Sequence, residues 1–168
     1  MQRINSGIAA VSGKIYVVGG WDGDCSLNTA ARVAPSGPSG ARRWQPLAEM
    51  SAARECPGVG TLNSRLYAVG GTWGNVYHRS VEVYDVRRAN WQPCAAMGVQ
   101  RCGAGVVALG GKLYAIGGLA TTAQTASSPA YEVYHSSVER YDAGSDAWDF
   151  VAAMRTPRAR AGVAVLGP

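Results

Sequence analysis

Residues 105–118 read Gly-Val-Val-Ala-Leu-Gly-Gly-Lys-Leu-Tyr-Ala-Ile-Gly-Gly, and their pattern decides the fold. Two apolar stretches, Val106–Leu109 and Leu113–Ile116, flank Gly110-Gly111 and end on Gly117-Gly118. β-Formers on both sides of a tight glycine turn read as a hairpin, and their near-continuous apolarity predicts burial on both faces. The same arrangement stands at 7–20, with Ser12-Gly13 at the turn and Gly19-Gly20 at the end. It stands again at 58–71, with Asn63-Ser64 at the turn and Gly70-Gly71 at the end.

Working outward, each hairpin lies inside a fixed frame. Arg3, Arg54, Arg101 and Arg158 stand four residues before Gly7, Gly58, Gly105 and Gly162. Trp44, Trp91 and Trp148 follow farther along, with Met50, Met97 and Met154 six residues after them. The frame arginines are 51, 47 and 57 residues apart. A constant frame with variable spacers means tandem copies of one supersecondary unit, with insertions confined to loops. The copies run 3–54, 55–101 and 102–158, and 159–168 begins a fourth.

Copies two and three continue with Ser80-Val-Glu-Val-Tyr-Asp85 and Ser137-Val-Glu-Arg-Tyr-Asp142, each followed by a polar turn and a tryptophan strand. Four strands per copy follow. No stretch keeps a 3.6-residue period for ten residues, so the chain reads as all-β with almost no helix. Copy one has no Val-Glu-x-Tyr-Asp around Ala31–Pro35, and its third strand is expected to be ragged.

The arginine, the double glycine preceded by Tyr16, Tyr67 or Tyr114, the Val-Glu-x-Tyr-Asp strand and the spaced tryptophan together resemble the kelch repeat. Among kelch proteins they look most like the kelch-like adaptors of animals. The resemblance covers Arg3 to Leu166 and implies a β-propeller fragment: three four-stranded antiparallel blades plus one strand of a fourth. Closed propellers have about four to eight blades. The chain therefore reads as part of a longer protein or a truncated isoform, without the BTB and BACK domains such adaptors carry.

Composition narrows the function classes. The +5 balance comes from fourteen arginines and two lysines, several of them in the frame or in turns (Arg42, Arg43, Arg87, Arg88). No basic-aromatic groove supports nucleic-acid binding, and the bias points to acidic protein or peptide partners. Cys25, Cys56, Cys94 and Cys102 form no CxxC pair or metal spacing. Cys56 and Cys102 fall at copy junctions and read as buried or inert thiols, with redox sensing as the alternative. No signal sequence or membrane-length apolar run is visible, which leads to a cytoplasmic expectation, the nucleus included. His78 and His135 lie in loops of adjacent copies without a third ligand, so they read as solvated histidines. No catalytic, cofactor-binding or metal residue is assigned.

Insertions mark the face that varies, since long loops on a rigid scaffold carry function. From double glycine to third strand, copy two uses Thr72 to Arg79 and copy three Leu119 to Ser136. The resemblance implies that the binding face is built from the loop after each double glycine and the junction after each frame arginine. The first set gives Trp21, Asp24 and Ser26, then Trp73, Asn75, Tyr77 and His78, and Tyr131 of the 119–136 loop. The second gives Asn5, Glu55 and Arg160. Exposed aromatic residues and arginine dominate interface energetics. Arg160 stands out because the other junctions carry Asn5, Cys56 and Gly103 there. The implied function is protein binding as substrate recognition for a cullin-3 ubiquitin ligase, cullin-3 being reached only through a BTB domain that this chain lacks. An actin-binding kelch protein is the alternative and a kelch-fold enzyme the third reading.

Overall fold

The computed structural model describes residues 2–35, 43–122 and 130–166. In chain order the strands are β1 (Gly7–Val11), β2 (Lys14–Val18), β3 (Ala30–Val33) and β4 (Gln45–Pro46) in the first copy. The second copy has β5 (Gly58–Leu62), β6 (Arg65–Val69), β7 (Thr72–Trp73), β8 (Val76–Tyr77), β9 (Val81–Asp85) and β10 (Asn90–Cys94). The third has β11 (Gly105–Leu109), β12 (Lys112–Ile116), β13 (Leu119–Thr121), β14 (Glu132–Tyr134), β15 (Val138–Asp142) and β16 (Ala147–Val151). They form three antiparallel four-stranded blades, β1-β2-β3-β4, β5-β6-β9-β10 and β11-β12-β15-β16, plus the small hairpins β7-β8 and β13-β14. The first strands of successive blades touch, β1 on β5 and β5 on β11, so the blades converge on that side.

The core lies in the two joints between blades. One joint gathers Tyr16, Val18, Ala30 and Met50 from blade 1 with Val59, Leu66, Ala68 and Tyr84 from blade 2. The other sets Tyr67, Val69, Val83 and Met97 of blade 2 against Leu113, Ala115 and Tyr141 of blade 3. Alternate residues of β6 thus serve opposite joints, as two-fold strand periodicity requires, and this is why it is apolar from Leu66 to Val69. Trp91 and Trp148 span the same joints. Their indole N–H groups donate to the carbonyls of Ala48 and Ala95 in the preceding blade, at 2.9 and 3.0 Å.

Close approach explains two of the frame glycines. A Cβ on Gly58 would lie 2.4 Å from Cγ2 of Val106, the residue that seats the next blade's first strand. Gly70 has φ 64°, and a Cβ there would lie 2.1 Å from the Arg101 carbonyl oxygen. Val163 packs on Gly105 as Val106 packs on Gly58. Residues 161–166 therefore occupy the place of a fourth blade's first strand, with no strand pairing among the described residues.

Blade 1 differs from the expectation. Its third strand, β3, pairs with β2 through all four of its residues, from Ile15↔Val33 to Val18↔Ala30. The shortening falls on β4, which keeps two residues where β10 and β16 have five.

Candidate functional site

The frame arginines, read from sequence only as a repeat marker, fix where each loop leaves its blade. Arg54 Nη1 donates to the carbonyls of Gly70 (2.7 Å) and Ser80 (3.0 Å). Arg101 Nη1 does the same to Gly117 (2.6 Å) and Ser137 (3.0 Å). Each guanidinium thereby pins the two ends of the loop that runs from double glycine to third strand. The loops after Gly71 and Gly118 are presented from one rigid base.

The junction residues form a second regularity. The Cys56 amide donates to the Asn5 carbonyl, Gly103 to Cys56 and Arg160 to Gly103, at 2.7, 2.9 and 2.7 Å. All four residues have positive φ: 56° at Asn5, 46° at Cys56, 64° at Gly103 and 56° at Arg160. Left-handed backbone favours glycine and asparagine, which suits Asn5 and Gly103 and leaves Cys56 and Arg160 strained. Strain of this kind, held by surrounding structure, clusters at functional sites. A recess of about 460 Å³ opens along this line, bounded by Asn5, Ser6, Cys56, Pro57, Gly103 and Arg160 among others.

Of the expected residues Asn5 and Arg160 line the recess, and the others make contacts of their own. Ser26 Oγ donates to Glu55 Oε1 at 2.7 Å, linking the loop of blade 1 to the next junction. Trp21 bridges both Ile4 and Ser26, and is half-buried at the foot of that loop. Tyr77 lies within electrostatic reach of Cys102, Glu132, Arg160 and Tyr134, and burial raises its phenol pKa above the ordinary value. Trp73 and Tyr131 stand out into solvent, 59% and 60% exposed. Asn75 is exposed at the tip of the β7-β8 hairpin. Asp24 is set apart: it sits at an exposed turn whose Asp22 carboxylate accepts the amides of Asp24 and Cys25.

His78 does not belong to this face. Its amide donates to Gly71, its carbonyl accepts from Arg101, and its ring Nε2–H reaches the Ala53 carbonyl at 3.2 Å. His135 repeats all three contacts, with Gly118, Arg158 and Gln100. Both rings are half-buried struts under the preceding frame loop, where desolvation first, and then Arg54 or Arg101, lowers their pKa. The expectation of solvated loop histidines is corrected by this. Leu27 fills the same place in blade 1, bonded to Gly20 and Arg54, which shows that the position asks for a packed side chain rather than a ligand.

Glu132 and Tyr134 lie in the 119–136 loop expected to contribute to the face but were not singled out there; Tyr134 Oη donates to Glu132 Oε2 at 3.0 Å. Glu132–Tyr134 pairs as β14 with Leu119–Thr121, which the sequence did not signal. Residues 123–129, the Thr/Ala/Ser-rich part of the 119–136 loop, lie outside the described residues. Among the described residues no group of three or more His, Cys, Asp and Glu could hold a metal ion, and no helix is long and apolar enough to cross a membrane. A second recess of about 530 Å³ opens at the other end of the strands, by the Ser12, Asn63-Ser64 and Asp85–Arg88 turns. Its one carboxylate, Asp85, is already engaged by the amides of Arg87 and Arg88.

Residues 2–51, 53–98 and 100–155 each match the family model of the Kelch motif. Over 87 residues the chain is 38% identical to Kelch-like ECH-associated protein 1B of Danio rerio, covering 48% of this chain and 14% of that protein. Over 90 residues it is 28% identical to Kelch-like protein 22 of Mus musculus, covering 52% of this chain and 14% of that one. The matched region is thus a small part of either relative.

Proposed function

The chain belongs to the kelch-repeat family, and we propose that it is a protein-interaction module whose partner docks on the face around Tyr77 and Arg160. The observation that carries this reading is Arg160 itself. It holds a strained left-handed backbone at a position the other junctions give to Asn5, Cys56 and Gly103, and its guanidinium lies near Tyr77, Tyr134 and the recess. Packing of the blades does not require an arginine there. Trp73 and Tyr131, exposed on the loops that follow the double glycines, supply large amphipathic contact area, and aromatic residues with arginine are the usual anchors of protein interfaces. The partner is a protein or peptide with carboxylates to meet Arg160, and the module acts without chemistry of its own.

The finer reading is substrate recognition for a cullin-3 ubiquitin ligase, in the cytoplasm or nucleus. The names of the similar proteins and the face-and-loop architecture support it. The test is co-precipitation from cells expressing the full-length gene product. Cullin-3 is expected, and its recovery should depend on a BTB domain outside this chain. Recovery of filamentous actin without cullin-3 would favour the cytoskeletal reading instead.

A further inference from the structure

We propose that Cys56 and Cys102 are a hydroperoxide-reactive thiol pair that closes to a disulfide across the joint between blades 2 and 3. The two residues occupy neighbouring junctions: the Gly103 amide, next to Cys102, donates to the Cys56 carbonyl at 2.9 Å. Each thiol shifts the other's titration, which puts the two sulfurs within interaction range. Cys56 is half-buried and lines the recess, so a small oxidant reaches it. Cys102 is buried behind it, 2% exposed. The remaining charged groups near the pair are Arg160 and Glu55, with the Tyr77 phenol facing Cys102.

These surroundings divide the work between the sulfurs. The hydrogen bond from Cys102, with help from the Arg160 guanidinium, brings the Cys56 thiol down to about 7 against the opposing effects of burial and Glu55. The same hydrogen bond, together with burial, pushes Cys102 up, so it remains a thiol. Thiolate, not thiol, is the nucleophile. Cys56 Sγ attacks one oxygen of the hydroperoxide, the O–O bond breaks, and a sulfenic acid forms as hydroxide or alkoxide leaves. Cys102 Sγ then attacks the Cys56 sulfur. The S–S bond forms, the S–O bond breaks, and the hydroxide leaves as water with the Cys102 proton. Both sulfurs are oxidised by one electron each, and the peroxide is reduced by two. The chemistry depends on the thiol pair and not on whether the face binds a partner.

The test exposes the 168-residue chain, dilute and without reductant, to hydrogen peroxide and maps its peptides by mass spectrometry without reduction. A linked pair of Cys56 and Cys102 peptides is expected, with Cys25 and Cys94 still free for alkylation. In Cys102→Ser the reaction should stop at a sulfenic acid on Cys56, trapped by dimedone. A measurement on the unaltered chain guards against misfolded variants. At pH 7 roughly half of Cys56 is thiolate against roughly 3% of an ordinary thiol, and allowing for its lower nucleophilicity leaves alkylation by iodoacetamide about threefold faster. The exposed Cys25, whose thiol desolvation and Asp22 push up, is the internal reference. Linkage through Cys25 or Cys94, oxidation with no Cys56–Cys102 link, or Cys56 alkylation no faster than that of Cys25 would each overturn the proposal.

Discussion

Arg101 Nη2 and Glu139 Oε1 lie 3.0 Å apart with both side chains buried, and the carboxylate also accepts the amides of Gly98 and Val99 from the preceding blade. Arg54 and Glu82 repeat the arrangement at 3.0 Å, with Ser51 and Ala52 as the cross-joint donors. One carboxylate therefore ties the loop-pinning arginine of its own blade to the end of the blade before. Ala31 takes this place in blade 1, by register with Val17 as Glu82 registers with Ala68.

Removing Glu139 should leave Arg101 charged, buried and uncompensated, together with two unpaired amides. Glu139→Ala is expected to cost about 3–5 kcal/mol, the range for breaking one side of a buried ion pair. Urea unfolding of the full-length protein checks this. Asp149→Ala, which breaks the exposed Arg140–Asp149 pair, is the control and should be nearly silent. Equal midpoints for the two variants would mean that the buried pair is not a tie between blades.

The strut histidines give the fold a pH dependence of fixed sign. Burial lowers the folded pKa of His78 and His135 below the ordinary imidazole value. The unfolded chain then binds more protons as pH falls, so their contribution is complete above about pH 6.5 and is lost as pH drops below it. Cys56, brought down to about 7, adds a loss of the same sign as pH falls through that value, while the aspartates with shifted pKa values (Asp22, Asp85, Asp142, Asp146) are all lowered and act only at more acidic pH. Tm is expected to fall between about pH 7.5 and 5.5. It should fall less in the His78→Leu/His135→Leu double variant, which places at both positions the residue that blade 1 carries as Leu27. An unchanged slope in that variant would remove the histidines from the account.

The flank of blade 1 calls for a third measurement. Val59, Val106 and Val163 each seat on the frame glycine of the preceding copy. Ile8 holds the corresponding place in blade 1 and is 66% exposed, and Trp44, the counterpart of Trp91 and Trp148, is exposed as well. Apolar blade faces left open associate with one another. The 168-residue chain in isolation should therefore self-associate with rising concentration, as read by light scattering. A strictly monomeric species with a sharp melt would contradict this.

What the sequence made legible was whatever repeats locally. The hairpins at 7–20, 58–71 and 105–118 announce themselves by glycine placement and by apolarity on both faces. The tie between Arg101 and Glu139 spans 38 residues, and nothing local in either stretch points to the other. The left-handed backbone at Cys56 and Arg160 was illegible for a similar reason: neither residue favours that conformation, and both are held in a chain of hydrogen bonds that links Asn5, Cys56, Gly103 and Arg160 from separate copies. His78 looked solvated because its loop is polar, whereas its ring is held by a carbonyl, Ala53, from the preceding copy. Trp73, Tyr77, Tyr131 and Arg160 are candidates for the face that the resemblance implies together with residue type, and a binding measurement rather than the fold decides between an interface and a surface role for them. Cys56 and Cys102 stood at copy junctions in the sequence, with redox sensing as the alternative reading; that they are neighbours, like the contact of Glu132 with Tyr134, emerged only once the strands were paired.

Binding at the Tyr77–Arg160 face is the central claim, and a paired comparison of affinity and stability tests it most directly. The variant is Tyr77→Ala with Arg160→Asn, since Asn5 already serves at the equivalent junction with φ 56°. Partners captured by the full-length protein are titrated against wild type and variant, with melting curves recorded in parallel. The variant is expected to melt within about 1 kcal/mol of wild type, as surface substitutions do. Its affinity should fall by about 2 kcal/mol or more, roughly thirtyfold, and the salt dependence of binding should weaken with the loss of the guanidinium. Undiminished affinity in a variant that melts like wild type would contradict the account and move the binding site off this face.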